Sequence, residues 1–214
     1  MRTPMPIENL DDTAKQILDA ASRRFLHYGY GKTTMSEIAQ DCNMSTGNLY
    51  RYFPSKLDIA EMFVRVLRRE QVARLRAVAD DQTLNPADKL RSFFLRKFKL
   101  AYERFHDKPK AYELSSELLT SRPKVGIEWE NAEGRVLAEI LIEGDASGAF
   151  AVENPAETAK ILQDAGYRFT SPAVFHEGDF DELAAELNGV IDLILDGFSY
   201  RAARRAAIEK RKHA

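Results

Sequence analysis

A chain of 214 residues, 44% hydrophobic and 30% charged, can bury one large core or two small ones. No apolar run approaches the length of a membrane-spanning helix, and the opening MRTPMPIENLDD has neither an apolar signal region nor Arg/Ser-rich transit character. The net charge of −2 conceals a split: residues 13–76 hold eleven Lys/Arg against six Asp/Glu, and residues 77–200 hold thirteen against twenty-three. A basic front on an acidic body directs the front towards a polyanion, with chance segregation of surface charge as the plain alternative. The single cysteine, Cys42, forms no internal disulfide, which fits a reducing compartment, so a cytoplasmic protein without a membrane partner is expected.

In chain order, Asp11 and Asp12 can cap a first helix whose apolar positions Ala14, Ile17, Leu18, Ala21 and Phe25 repeat at helical spacing, and Gly29 and Gly31 end it. Thr34 with Glu37 forms a capping box for a short second helix with Met35, Ile38 and Ala39 on its apolar side. Cys42-Asn43-Met44 reads as a tight turn, Ser45 caps a third helix, and Pro54 stops it. Ser55 and Asp58 cap a long fourth helix carrying Leu57, Ala60, Phe63, Val64, Leu67 and Leu75. Asn85-Pro86 opens a fifth, with Leu90, Phe94, Phe98, Ala101, Tyr102 and Phe105 on one stripe, and Pro109 and Pro123 punctuate two more. Residues 144–148 read as a turn, Asn154-Pro155 opens a helix to about Tyr167, and a last helix starts near Asp179. No stretch alternates with period two for long, so the expected fold is all-α with about nine helices. The expected domains are a helix-turn-helix segment at 10–56, a helical body at 57–205 and a basic tail at 206–214.

Three short helices, the second and third joined by a tight turn, form a helix-turn-helix arrangement, in which the second helix of the pair enters the DNA major groove. Residues 45–52 suit that task. Gly47 removes a side chain so that the backbone can approach DNA; Thr46 offers a hydroxyl and a methyl, and Asn48 suits a base edge or a phosphate. Tyr50 and Tyr52 place hydroxyls on rigid rings, and Arg51 can pair with phosphate or bidentately with guanine. Ser45 begins the segment, Leu49 and Phe53 face inward, and Lys56 in the next helix's first turn is placed for a phosphate, as are Thr33 and Thr34 before the second helix. The plain alternative is a solvated turn whose tyrosines pack on their neighbours.

The run ILDAASRRFLHYGYGKTTMSEIAQDCNMSTGNLYRYFPSKLDIAEMF resembles the N-terminal DNA-binding domain of TetR-family transcriptional regulators, on the landmarks AASRRFLHYGY, TTMSEIA and STGNLYRYFPSK. Thr46 departs from the basic residue many members carry there. The resemblance implies a repressor acting on double-stranded DNA as a homodimer, with the last two long helices (about 155–168 and 179–203) forming the interface. The stripe Leu183, Leu187, Val190, Ile191, Ile194 and Phe198 is consistent with that, or with burial in its own subunit. Two-fold symmetry then implies an inverted-repeat operator.

The resemblance further implies an unknown small-molecule effector held in the body. Aromatic candidates are Phe94, Phe98, Tyr102, Tyr112, Trp129, Phe169 and Phe175, with His106 and His176 as polar partners; the competing reading of each is core or surface. An alternative is a body that binds a protein partner. Enzyme signatures are missing: no Walker loop, no Gly-rich dinucleotide turn, no G-x-S-x-G. The four histidines are scattered and give no zinc spacing with one cysteine, so no catalytic residue, cofactor or metal is expected.

Overall fold

The computed structural model describes residue 7 and residues 10–212, except for the side chains of His176, Glu209 and Lys212. Among the described residues there are nine α-helices and no strand. They are α1 (Asp12–Tyr28), α2 (Met35–Asp41), α3 (Thr46–Tyr52), α4 (Lys56–Ala79), α5 (Pro86–Phe105), α6 (Pro109–Ser121), α7 (Pro123–Ala146), α8 (Pro155–Ala165) and α9 (Phe180–Lys212). Short 3-10 turns at Tyr167–Thr170 and Pro172–His176 lead into α9.

The helix starts follow local chemistry. Side-chain oxygens of Asp11, Thr34, Ser45, Asn85 and Asn154 each accept a backbone N–H from the first turn of the helix they precede. Each such cap contributes about 1 kcal/mol. Proline occupies the first turn of α5, α6 and α8, where its missing N–H costs nothing.

Two boundaries differ from the sequence expectation. Helix α7 continues to Ala146, through Gly144, because the Phe150 ring lies directly on that glycine: a Cβ there would come within 1.9 Å of the ring. The turn moves on to Gly148, at φ +78°. Helix α9 runs on to Lys212 and absorbs the stretch expected as a separate basic tail, because Ala-, Arg- and Lys-rich sequence after Tyr200 contains nothing to stop a helix.

The chain forms two compact units. The first takes the residues up to Glu70 together with Asp107–Ile127, and the second takes Gln71–His106 with the residues from Glu128 on. The first unit buries Ile17, Ala21 and Phe25 of α1, Ile38 of α2, Leu49 of α3, Ile59 of α4, and Ala111, Leu114 and Leu118 of α6. Helix α1 packs on both α2 and α6. The front unit is therefore larger than the expected 10–56 segment, because α6 turns its apolar face to α1. The second unit buries Leu90, Phe93 and Phe98 of α5, Val136, Leu137, Ile140 and Leu141 of α7, and Leu183, Leu187 and Ile191 of α9.

Candidate nucleic-acid interface and effector region

The turn between α2 and α3 is set by Asn43, at φ 52°, a conformation its short polar side chain tolerates. The Met44 N–H returns to the Ala39 carbonyl at 3.0 Å. Leu49 and Phe53 are buried at 0% and 3% exposure and anchor the inward side of α3. Gly47, Tyr50 and Arg51 are exposed, and Thr46, Asn48 and Tyr52 are half-buried. A Cβ added to Gly47 would find only Ser45 Oγ, at 4.0 Å. No packing in this chain requires that glycine, although glycine costs a helix interior about 1 kcal/mol relative to alanine.

Side chains expected to touch phosphate are committed elsewhere in part. Thr33 is buried, and its hydroxyl donates to the Gly29 carbonyl at 2.9 Å, so the hydroxyl does not face DNA. Thr34 is the capping residue of α2: its Oγ accepts from Glu37 N at 3.3 Å, and its own N–H donates to the Glu37 carboxylate at 2.8 Å. The Lys56 ammonium donates to the carbonyls of Tyr30 (2.6 Å) and Thr33 (2.8 Å) and lies 4.2 Å over the Tyr30 ring. It clamps the α1–α2 loop to the start of α4 rather than projecting freely. Burial pulls its pKa below the ordinary lysine value, against an opposing pull from Glu117, Glu113 and Glu37.

Other residues hold the reading helix in place. Arg24 of α1 forks onto Asp41 of α2 at 2.5 and 2.9 Å and reaches Glu37 at 3.1 Å. The hydrogen bond from Arg24 holds the Asp41 carboxyl below its usual range. From α6, the Glu113 carboxylate accepts the Gly31 N–H at 3.2 Å and lies 3.3 Å from Lys110. Gly29, at φ +97°, permits this approach; a Cβ there would come 3.1 Å from Glu113 in a backbone conformation that side chains rarely adopt. Arg122 pairs with Asp58 at 2.6 Å and with Glu61, and Glu61, 3% exposed, also receives Arg65 at 2.7 Å. Sequence reasoning missed Glu113 and Arg122. The only hint was the Gly29/Gly31 pair, which marks a close approach without naming what approaches.

In the second unit the structure brings together four of the expected aromatic and polar candidates. Phe98 and Tyr102 are 5.8 Å apart by ring centroid, Tyr102 stacks on His106 at 4.3 Å, and Phe175 meets Tyr102 at 5.3 Å. Phe180, not anticipated, stacks on Phe98 at 5.1 Å. Phe94 and Phe169 are buried, and Trp129 is half-buried on α7. Tyr112 lies on α6 in the first unit, 52% exposed, and does not belong to this group. The His176 side chain lies outside the described residues.

A polar group in the same unit had no sequence signal, since charged residues at helical spacing read as a solvated face. Gln71 and Glu133 are both 3% exposed and share a 2.6 Å hydrogen bond. Arg104 donates to Gln71 at 2.9 Å, and Lys97 lies 2.9 Å from Glu133.

The stripe expected at a subunit interface is largely filled from within. Leu183, Leu187, Ile191 and Phe198 are at most 5% exposed, Val190 and Ile194 are half-buried, and Phe198 packs on Phe150 at 4.9 Å. Residues with no remaining surface have nothing to bury against a partner. The opposite side of α9 is open: Leu193 and Tyr200 are 75% and 69% exposed, and nothing lies within 4 Å of a Cβ added at Gly189 or Gly197. Among the described residues, no helix is long and apolar enough to cross a membrane, and no cluster of His, Cys, Asp or Glu is placed to hold a metal ion.

Comparison with known proteins bears on both units. The family model for bacterial regulatory proteins, tetR family, matches residues 17–62, and that for the tetracyclin repressor-like C-terminal domain matches residues 86–191. The HTH-type transcriptional repressor KstR2 of Mycobacterium tuberculosis is 29% identical over 137 residues, 63% of this chain and 68% of that protein. Among solved structures, the fatty acid degradation regulator FadR from Bacillus halodurans superimposes with a TM-score of 0.65 at 21% identity, covering 87% of this chain and 96% of that one. The ketosteroid transcriptional regulator KstR2 of M. tuberculosis does so with a TM-score of 0.53 at 21% identity, covering 89% and 96%.

Proposed function

The chain belongs to the TetR family of transcriptional regulators, and from that premise we propose that it is a cytoplasmic homodimer that represses from an inverted-repeat operator and releases it when a small molecule occupies the body. The coarse activity, DNA-binding transcriptional repression through a helix-turn-helix, is that of the family and of its KstR2 relatives. The observation that carries the reading of DNA is α3 itself. It is a short helix with an apolar side fixed by Leu49 and Phe53, and an outward side of Gly47, Tyr50 and Arg51 that nothing in the chain covers. Gly47 lets the backbone approach the groove, Arg51 supplies a bidentate donor for guanine or phosphate, and Thr46, Asn48, Tyr50 and Tyr52 supply hydroxyl and amide groups at its edges. Ser45 and Thr34 fix the starts of α3 and α2.

Release by an effector requires that the effector bind the DNA-incompetent state more tightly, by linkage. The rings of Phe98, Tyr102, Phe175 and Phe180 supply apolar surface, and His106 with the Gln71–Glu133–Lys97–Arg104 group supplies polar functions in the same unit. With structural relatives described as regulators of fatty acid degradation and of ketosteroid metabolism, this composition favours an apolar, lipid-derived effector with one polar end.

The test is selection of bound fragments from random duplex DNA, followed by titration of fatty acids, their thioesters and ketosteroids into the protein–operator complex. An enriched inverted repeat, lost in Gly47→Glu and released by one of these lipids, is the expected result. Enrichment without release by any lipid would remove the effector class and leave the operator reading. No enrichment at all would remove the operator reading.

A further inference from the structure

The outward side of α9 reads as one line when the helix is unrolled at 100° per residue. Glu182, Glu186, Gly189, Leu193, Gly197, Tyr200, Arg204, Ile208 and Arg211 fall within about 60° of Leu193, and each is exposed. The line is ordered by chemistry. Its first two turns are acidic, its middle is glycine, leucine, glycine and tyrosine, and its end is cationic with one isoleucine. The whole helix shares the polarity: Asp181, Glu182, Glu186, Asp192 and Asp196 lie before Gly197, while Arg201, Arg204, Arg205, Lys210 and Arg211 lie after it.

Charges on the neighbouring sides are engaged within the chain. Asp192 pairs with Arg91, and Arg205 lies 2.8 Å from Asp145. On the line itself, Glu186 is 3.4 Å from Arg168 but remains half-exposed, and the Glu182 carboxylate accepts the Asp179 N–H at 3.1 Å. Among the described side chains, Arg204 and Arg211 form no ion pair.

We propose that this line pairs antiparallel with the same line of a second copy, and that the cationic end of each α9 clasps the acidic start of the other. The inference rests on the homodimer reading and specifies its surface and register. Parallel pairing would set acid against acid and arginine against arginine. Antiparallel pairing centred on Leu193 sets Gly189 opposite the partner's Gly197, so that the leucines enter the space the glycines leave. It also sets Arg204 opposite the partner's Glu182, with the partner's Glu186 one turn away. An isologous contact of this kind closes on itself and repeats every interaction twice. The apolar centre supplies most of the affinity, and the charges fix orientation and make association sensitive to salt.

The experiment is sedimentation equilibrium of the full chain at low and high salt, with Arg204→Glu, Glu186→Arg and the double variant, each checked for unchanged helicity by circular dichroism. The expected result is a dimer that weakens with salt, and single reversals that each weaken it by roughly tenfold, because symmetry counts each substitution twice. The double reversal should restore the wild-type constant. A dimer indifferent to salt and to both single reversals would overturn the clasp while leaving the homodimer intact. A monomer under all conditions would overturn both. Loss of non-specific DNA affinity in Arg204→Glu with an unchanged dimer constant would assign the cationic end to nucleic acid and overturn the clasp.

Discussion

Helices α3 and α9 both contain glycines that nothing in the chain requires, yet their surroundings differ. Around Gly47 the exposed positions carry Tyr50 and Arg51, flanked by half-buried Thr46 and Asn48. Around Gly189 and Gly197 they carry Leu193 and Tyr200, with opposite charges at the two ends. A glycine inside a helix sacrifices stability in the free molecule, so it is retained where something from outside needs the space. Hydrogen-bonding neighbours fit a polar groove, and an apolar centre with segregated charge fits another helix. The supports differ too. The reading helix is fixed by directional bonds from Arg24, Lys56 and Glu113, whereas α9 is fixed by burial of Leu183, Leu187, Ile191 and Phe198.

The comparison yields expected outcomes of decreasing size. Phe98→Ala, in the fully buried ring group of the second unit, should cost about 3–5 kcal/mol in denaturant unfolding. A loss below about 1 kcal/mol would mean that the aromatic group is loosely packed. Gly47→Glu should leave the unfolding midpoint nearly unchanged while weakening operator binding by roughly a hundredfold, equivalent to about 3 kcal/mol; retained affinity in a fluorescence anisotropy titration would place the groove elsewhere.

Lys56→Ala should cost about 1–3 kcal/mol of stability by leaving the Tyr30 and Thr33 carbonyls without their donor. It should lower operator affinity with the salt slope unchanged, whereas Arg51→Ala should reduce that slope by about one. A reduced slope for Lys56→Ala would make that ammonium a phosphate contact after all. Gly47→Ala should stabilise the free protein by up to about 1 kcal/mol and still weaken operator binding; Gly189→Ala should do the same for the monomer and weaken the dimer.

The smallest effect concerns acid. The Gly31 N–H holds the Glu113 carboxyl below its ordinary value, and the Arg24 side chain does the same for Asp41. Groups depressed in the folded state contribute stability that is complete above their unfolded pKa and lost as pH falls through the folded one. Glu113→Gln should therefore flatten the low-pH limb of the unfolding midpoint and leave neutral pH nearly untouched; an unchanged limb would mean the Gly31 contact contributes nothing to stability.

Much of the fold was legible because it is written locally. Caps at Asp11, Thr34, Ser45, Asn85 and Asn154, with prolines in first turns, mark helix starts wherever they occur. The inward pair Leu49 and Phe53 followed from spacing alone. What was not legible is what depends on distant chain. Glu113 meets Gly31 across 82 positions, and no local pattern distinguishes it from a solvated glutamate. The same limit misassigned Lys56 and Thr33, whose polar ends look free in sequence and are held by carbonyls in the structure. It also misjudged which side of α9 faces outward, since an apolar stripe does not reveal whether its own subunit fills it.

The inclusion of α6 in the front unit has a consequence for anyone building hybrid regulators. A graft cut at the end of α3 or the start of α4 would transfer the motif that reads DNA but leave behind Glu113 and Arg122, which brace Gly31, Asp58 and Glu61. The portable module is discontinuous: residues up to Glu70 and residues 107–127 travel together. Transplanted specificity should then depend on whether the recipient's own sixth helix presents a carboxylate to that glycine loop, a compatibility that can be checked in a sequence before any hybrid is made.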